Sequence, residues 1–207
     1  LFVILIWGGF FIFYTLESDF LHILYYFCKS KPLRRMRYIE LLSPAKDFTA
    51  AVAAIDHGAD AVYMGASRFG ARQAAGNSLD DIARVAEYAH RYGARLHCTL
   101  NTVLFDDELQ DAERMARELI AAGADALIVQ DMALREMNLP IEMHASTQVG
   151  NTTPEGVKFL EECGFARIIL ERSLSLEEIR NICAATSAEV ECFVHGAICV
   201  GHSGRCF

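Results

Sequence analysis

Gly58-Ala-Asp-Ala-Val-Tyr-Met64 decides the fold, because it recurs almost unchanged as Gly123-Ala-Asp-Ala-Leu-Ile-Val129 and in looser form as Gly93-Ala-Arg-Leu-His-Cys98 and Gly164-Phe-Ala-Arg-Ile-Ile-Leu170. The four glycines stand 35, 30 and 41 residues apart. Glycine after the last helical turn is the usual left-handed cap, since it alone takes a positive φ without a Cβ penalty. Each copy therefore reads as helix end, cap, then a short strand of branched residues. Upstream of three caps lie stripes of one-face helices: Phe48, Ala51, Val52 and Ile55; Ile82, Val85, Ala86 and Ala89; Ala112, Met115, Ala116 and Leu119. Helix starts are marked by Ser78 with Asp81 and by Ser175 with Glu178 at capping-box spacing, and by Pro154 behind Thr153.

Seven strands are expected, at 39–42, 61–64, 95–100, 126–129, 141–144, 167–170 and 190–194. Strands alternating with helices indicate parallel βαβ units, which a doubly wound sheet and a barrel both satisfy. Polar residues recurring at the C-terminal strand ends favour the α/β TIM-type (β/α) barrel, which gathers its active site there. About seven of its eight strands are present by this reading, so the barrel is expected to be incomplete.

The chain has 207 residues, 53% hydrophobic and 22% charged, enough for one domain with a sizeable core. Its net charge of −8 divides into +2 for residues 1–35 and −10 for 36–207. The acidic part carries no global basic footprint for nucleic acid, so any such partner would have to be held by a local patch or by other protein. Seven cysteines, an odd number set mostly in apolar helix and strand patterns, exclude a disulfide framework. Five read as buried thiols; Cys199 and Cys206 are the exceptions.

Residues 1–35 are read as an apolar N-terminal extension apart from a domain at 36–207. Leu1 to Leu16 falls short of the roughly 20 residues that cross a bilayer, and Glu17 and Asp19 interrupt the pattern. No basic leader or small-residue cleavage site marks a secretory signal. Met36 directly precedes the ordered pattern and is the expected start of translation, with a weak membrane anchor as the alternative. A cytoplasmic protein follows from the first reading; membrane association requires the second.

Strand ends supply the candidate chemistry. His144 and His195 are candidate acid–base groups, and Glu171 beside Arg172 a candidate for orienting substrate. Asn101, Gln130, Ser146, Thr147 and Gln148 are candidate substrate contacts, as are Arg68 and Arg72, which suit an anion such as phosphate. A bland alternative stands beside each, because polar residues end strands everywhere. The segment from Glu191 to Phe207 is the most specific: it sets Cys199 and Cys206 seven residues apart in a glycine-rich loop, whose backbone N–H groups suit cluster sulfurs. From spacing alone, His195, Cys199, His202 and Cys206 also fit a closed zinc site. Neither a Gly-x-Ser-x-Gly elbow nor His-Glu-x-x-His occurs.

This segment resembles the signature of the collagenase-like peptidase family, the thirty-second of the unclassified families: Glu-x-Phe-x-x-Gly-Ala-Ile-Cys-x4-Gly-x-Cys, matched from Glu191 to Cys206. The likeness extends to Glu40-Leu-Leu-Ser-Pro-Ala45, Gly58-Ala-Asp-Ala-Val-Tyr63, His144-Ala-Ser-Thr-Gln148 and Glu171-Arg-Ser-Leu-Ser175, covering essentially 36–207. It implies oxygen-independent hydroxylation with a four-iron iron–sulfur cluster on four cysteines, acting on a ribosomal RNA cytidine, a tRNA wobble uridine or ubiquinone precursors, with prephenate as an oxygen source and the electron donor unnamed. By that likeness Cys199 and Cys206 are the first two ligands, two more are expected beyond Phe207, and His202 is not a ligand. Phe69-Gly-Ala-Arg-Gln-Ala-Ala-Gly-Asn-Ser78 looks most like the ribosomal RNA branch. The alternative that the family name carries is a peptidase.

Overall fold

A computed structural model of the chain describes residues 2–5, 39–71, 76–196, 201, 203 and 204. Among these, eight parallel strands close a barrel in chain order: β1 (Phe2–Leu5), β2 (Ile39–Pro44), β3 (Ala61–Gly65), β4 (Arg95–Leu100), β5 (Ala126–Val129), β6 (Glu142–Ala145), β7 (Arg167–Ile169) and β8 (Glu189–Phe193). The helices are α1 (Phe48–Asp56), α2 (Leu79–Arg91), α3 (Leu109–Ala121), the single turn α4 (Ala133–Glu136), α5 (Pro154–Glu162) and α6 (Leu176–Ala185). Seven strands lie where the sequence pattern puts them, within a residue or two. The eighth, expected to be missing, is Phe2–Leu5 of the N-terminal extension, which pairs with Ile39–Leu42 on one side and Val190–Phe193 on the other. An open barrel would leave two edges of unpaired N–H and C=O groups, and a short apolar segment satisfies both at once. No described helix is long and apolar enough to cross a membrane.

Local signals hold where they were strongest. Ser78 and Ser175 make reciprocal capping boxes with Asp81 and Glu178, and Thr153 caps α5 with proline at its first position. Gly58, Gly93, Gly123 and Gly164 all have φ between 74° and 99°. At Gly123 a Cβ would also fall 2.9 Å from that of Ala86, so the cap doubles as a close contact between α2 and the β5 entry.

Alternation along the strands sorts side chains into two cores. Outward-facing Val62, Met64, Leu96, Cys98, Leu127, Val129, Met143, Ala145 and Ile168 pack under the helices against Ile82, Val85, Leu119 and Leu160. Each such fully buried aliphatic contributes about 1.5–3 kcal/mol. Burial pushes the Cys98 and Cys192 thiols up to about 12, as inert core cysteines require. Inside the barrel, Leu42, Ala61, Ile128 and Ile169 meet Tyr63 and Phe193. Below this apolar layer, towards the strand N-termini, the interior is charged. Arg167, wholly buried, bonds Glu40 at 2.6 and 3.2 Å and Glu189 at 2.7 and 3.0 Å, and lies 3.6 Å from Glu191.

Candidate functional site

The C-terminal mouth is built from the turns that follow β4, β5, β6 and β7. Asn101, directly after β4, donates from Nδ2 to Ser146 Oγ at 3.2 Å and accepts Ala71 N on Oδ1 at 2.9 Å. Ser146 opens the 3-10 turn Thr147–Val149, its Oγ accepting from Gln148 N at 3.2 Å. Gln130, directly after β5, donates to the Gln148 carbonyl at 3.2 Å. Four of the expected substrate contacts thus form one hydrogen-bonded array across three strand ends. Thr147 is half-buried in the same turn and its carbonyl accepts from Gly150 N.

Glu171 is buried beside this array. Its Oε2 accepts from the Ser173 amide at 3.0 Å and from the Ser173 hydroxyl, and its Oε1 accepts from Ser203 N at 3.4 Å. Arg172 lays its guanidinium over the Phe193 ring at 4.0 Å, a cation–π contact at the mouth. Exposed His195 follows the end of β8 by two residues. Arg68, also exposed, is paired with Asp111 at 2.9 Å and lies over Phe69 at 4.7 Å, so an anion would have to compete with that carboxylate. Arg72, Cys199, His202 and Cys206 lie outside the described residues.

His144 does not open on the mouth. β6 runs one residue further than its pattern suggested, to Ala145, and alternation turns Glu142 and His144 inward together. His144 is fully buried and bonds Glu142 Oε1 through Nε2 at 2.7 Å, with its ring edge-on to His97 at 4.8 Å. Burial lowers the His144 pKa against the opposing pull of Glu142, and lowers that of His97 well below its ordinary value. A neutral His144 then carries its proton on Nε2, and that hydrogen bond leads in drawing Glu142 down to about 2. Glu191, the first residue of the cysteine signature, is likewise interior rather than catalytic in placement. Burial, only partly offset by Arg167, pushes its carboxyl up to about 8.

The sequence reading missed Asn151. It is buried, and its Nδ2 reaches the carbonyls of Ser146 at 2.9 Å and Ile169 at 2.8 Å, tying the ends of β6 and β7. Its position directly after the left-handed Gly150 and before the α5 cap was the available signal.

A closed parallel barrel whose mouth collects polar side chains from successive strand ends is the architecture of barrel enzymes. The profile described as Peptidase family U32 matches residues 46–207, and the chain belongs to that family. It is 55% identical over 170 residues to the 23S rRNA 5-hydroxycytidine C2501 synthase of Escherichia coli (strain K12), covering 82% of this chain and 26% of that protein. It is 34% identical to the tRNA hydroxylation protein P1 of Bacillus subtilis (strain 168), covering 81% and 41%, and 28% identical to a collagenase of Porphyromonas gingivalis (strain ATCC BAA-308 / W83), covering 81% and 44%. The chain therefore spans about a quarter to under half of these relatives. The solved structure of the U32 peptidase Mk0906 superposes with a TM-score of 0.62 over 79% of this chain and 72% of that one, at 15% identity, which bears on the fold.

Proposed function

We propose that this chain belongs to a cytoplasmic enzyme that hydroxylates a base of RNA without molecular oxygen, with a ribosomal RNA cytidine as substrate and a tRNA uridine as the second choice. The observation that carries this reading is the 55% identity over 170 residues to a ribosomal RNA hydroxycytidine synthase. Cys199 and Cys206 are the proposed ligands of an iron–sulfur cluster, which supplies one-electron chemistry when bound. Soft thiols on a glycine-bearing loop suit such a group, and the described part of that loop rests on the mouth through Glu171 and Gln148. Those contacts commit the Ser203 and Gly204 N–H groups to the barrel, so any hydrogen bonds to cluster sulfurs come from elsewhere.

The remaining roles belong to side chains at the mouth. The amides of Asn101 and Gln130, held by Ser146 and by the Gln148 carbonyl, form a polar floor that can meet a base edge. Arg172, held over Phe193, and Arg68, once released from Asp111, offer charge to phosphate. His195, exposed two residues beyond the end of β8, is the proposed acid–base group. A small oxygen-donating co-substrate such as prephenate would share this mouth.

A peptidase reading rests on the names of some relatives. Against it, the hydroxyls of Ser146 and Ser173 are engaged by Asn101, Gln148 and Glu171, and among the described residues neither meets a histidine.

Deleting the gene from its host and weighing the nucleosides of 23S RNA tests the proposal. One cytidine should lose the mass of one oxygen, and the modification should persist in cells grown without air. Unchanged RNA alongside lost gelatin cleavage would establish the peptidase instead.

A further inference from the structure

Ser203 and Gly204, which stand between the two signature thiols in the chain, are fastened to the barrel by two side chains that the sequence had marked for other work. Gln148 Oε1 accepts from Gly204 N at 3.0 Å, and Glu171 Oε1 accepts from the buried Ser203 N at 3.4 Å. The approach is close: a Cβ on Gly204 would lie 2.2 Å from the Gln148 carbonyl oxygen, and Gly204 has φ +80°, so glycine alone fits. Both anchors start from fixed positions. Gln148 is held through its backbone N–H by Ser146 and through its backbone carbonyl by Gln130, while the Glu171 side chain is held through its second oxygen by Ser173.

We propose that Gln148, Glu171 and Gly204 form a latch that fixes Ser203 and Gly204, which stand between the two thiols in the chain, on the barrel mouth, so that Gln148 and Glu171 are positioning residues for the metal ligands rather than catalytic residues. This rests on the cluster reading of the two thiols. The physical reason is entropic: two ligands seven residues apart on a glycine-rich loop are dispersed over many conformations unless the backbone between them is tied down. Two N–H donors of the loop and one obligatory glycine tie it.

Arg205 follows the latch directly and reports on it without any metal. In the protein purified under air and stripped of iron, trypsin should cut after Arg205 about tenfold faster in Gln148→Ala and Gly204→Ala than in wild type, the melting temperature of the barrel staying within a few degrees. Gln148→Glu keeps the acceptor and should restore slow cleavage. In protein purified without oxygen, the two latch-breaking variants should lose at least about half of the iron and sulfide, and Gln148→Glu should retain it. Wild-type cleavage in both latch-breaking variants overturns the latch. Fast cleavage with full iron content overturns the positioning role. The cluster reading fails separately, if Cys199→Ala and Cys206→Ala leave the iron content unchanged.

Discussion

Arg167 on β7 donates to Glu40 on β2 at 2.6 Å through the interior of the barrel, although 127 residues separate them and their strands are not neighbours. Burial works against the Arg167 charge, but the hydrogen bonds and charge of Glu40 outweigh it and hold the guanidinium pKa above its ordinary value. Branched aliphatic residues usually fill this level of such a barrel. Here it is an ion cluster sealed from above by Leu42, Ile128 and Ile169.

Removing Arg167 leaves its carboxylate partners short of countercharge. Arg167→Met should therefore destabilise the fold by about 3–5 kcal/mol in denaturant titration, because Glu189 would lose both its hydrogen bonds and Glu40 would keep only the longer 3.8 Å contact to Arg95. Adding Glu40→Leu to Arg167→Met should recover part of that loss. An unchanged midpoint in the single variant would show that the cluster does not hold the barrel.

Glu191 gives the cluster a pH signature. With its carboxyl pushed up to about 8, the folded state keeps a proton that an unfolded glutamate releases near its ordinary value of 4.5, so this group makes stability fall as pH rises between those two values. His97 and His144 act oppositely: burial holds both below the ordinary imidazole value of 6.5 when folded, so stability present above that value is lost as pH falls below it. Glu191→Gln removes only the first effect. Its stability relative to wild type should climb by roughly 2–4 kcal/mol from about pH 5 to about pH 8. A difference that stays flat over that range would mean Glu191 is ionised throughout.

Asn151 joins two strands whose ladder is short, with His144 opposite Arg167 and Ala145 opposite Ile168. Asn151→Ala withdraws the donor from the Ser146 and Ile169 carbonyls and should destabilise by roughly 2–4 kcal/mol. Faster hydrogen exchange at the Glu171 amide, which bonds the Asn151 carbonyl, would localise the damage to the mouth. Exchange at wild-type rates there would remove Asn151 from its assigned role.

His195 offers the opposite case, a change in activity without a change in stability. It is exposed beyond the end of β8, so His195→Ala should leave unfolding within about 0.5 kcal/mol of wild type. If it moves a proton in the proposed reaction, hydroxylation of RNA should drop roughly 10²- to 10⁴-fold. Full activity in the variant would return the acid–base role to another group.

The sequence by itself determined the order of helices and strands, because the signals are local. Ser78 caps with a residue three positions on, and Gly123 ends one helix and begins the next strand within a few residues. Even the array at the mouth was partly legible, since Asn101, Gln130 and Ser146 were recognised as strand-end residues.

What only the tertiary structure decided is which way each side chain faces and whom it meets. The register of β6 against β7 placed His144 inside the barrel rather than at its rim, since it stands level with Arg167, the first residue of β7. Nothing in the chain joined Glu40, Arg167 and Glu191, which became one buried cluster only when β2, β7 and β8 were wrapped around a common interior. Glu171 and Gln148 read as chemistry until the fold brought Ser203 and Gly204 against them. Phe2–Leu5, without a partner in any local pattern, acquired two when the barrel presented two open edges. Hydrogen-bond pairing between distant segments depends on closure of the whole sheet, and no spacing along the chain encodes it.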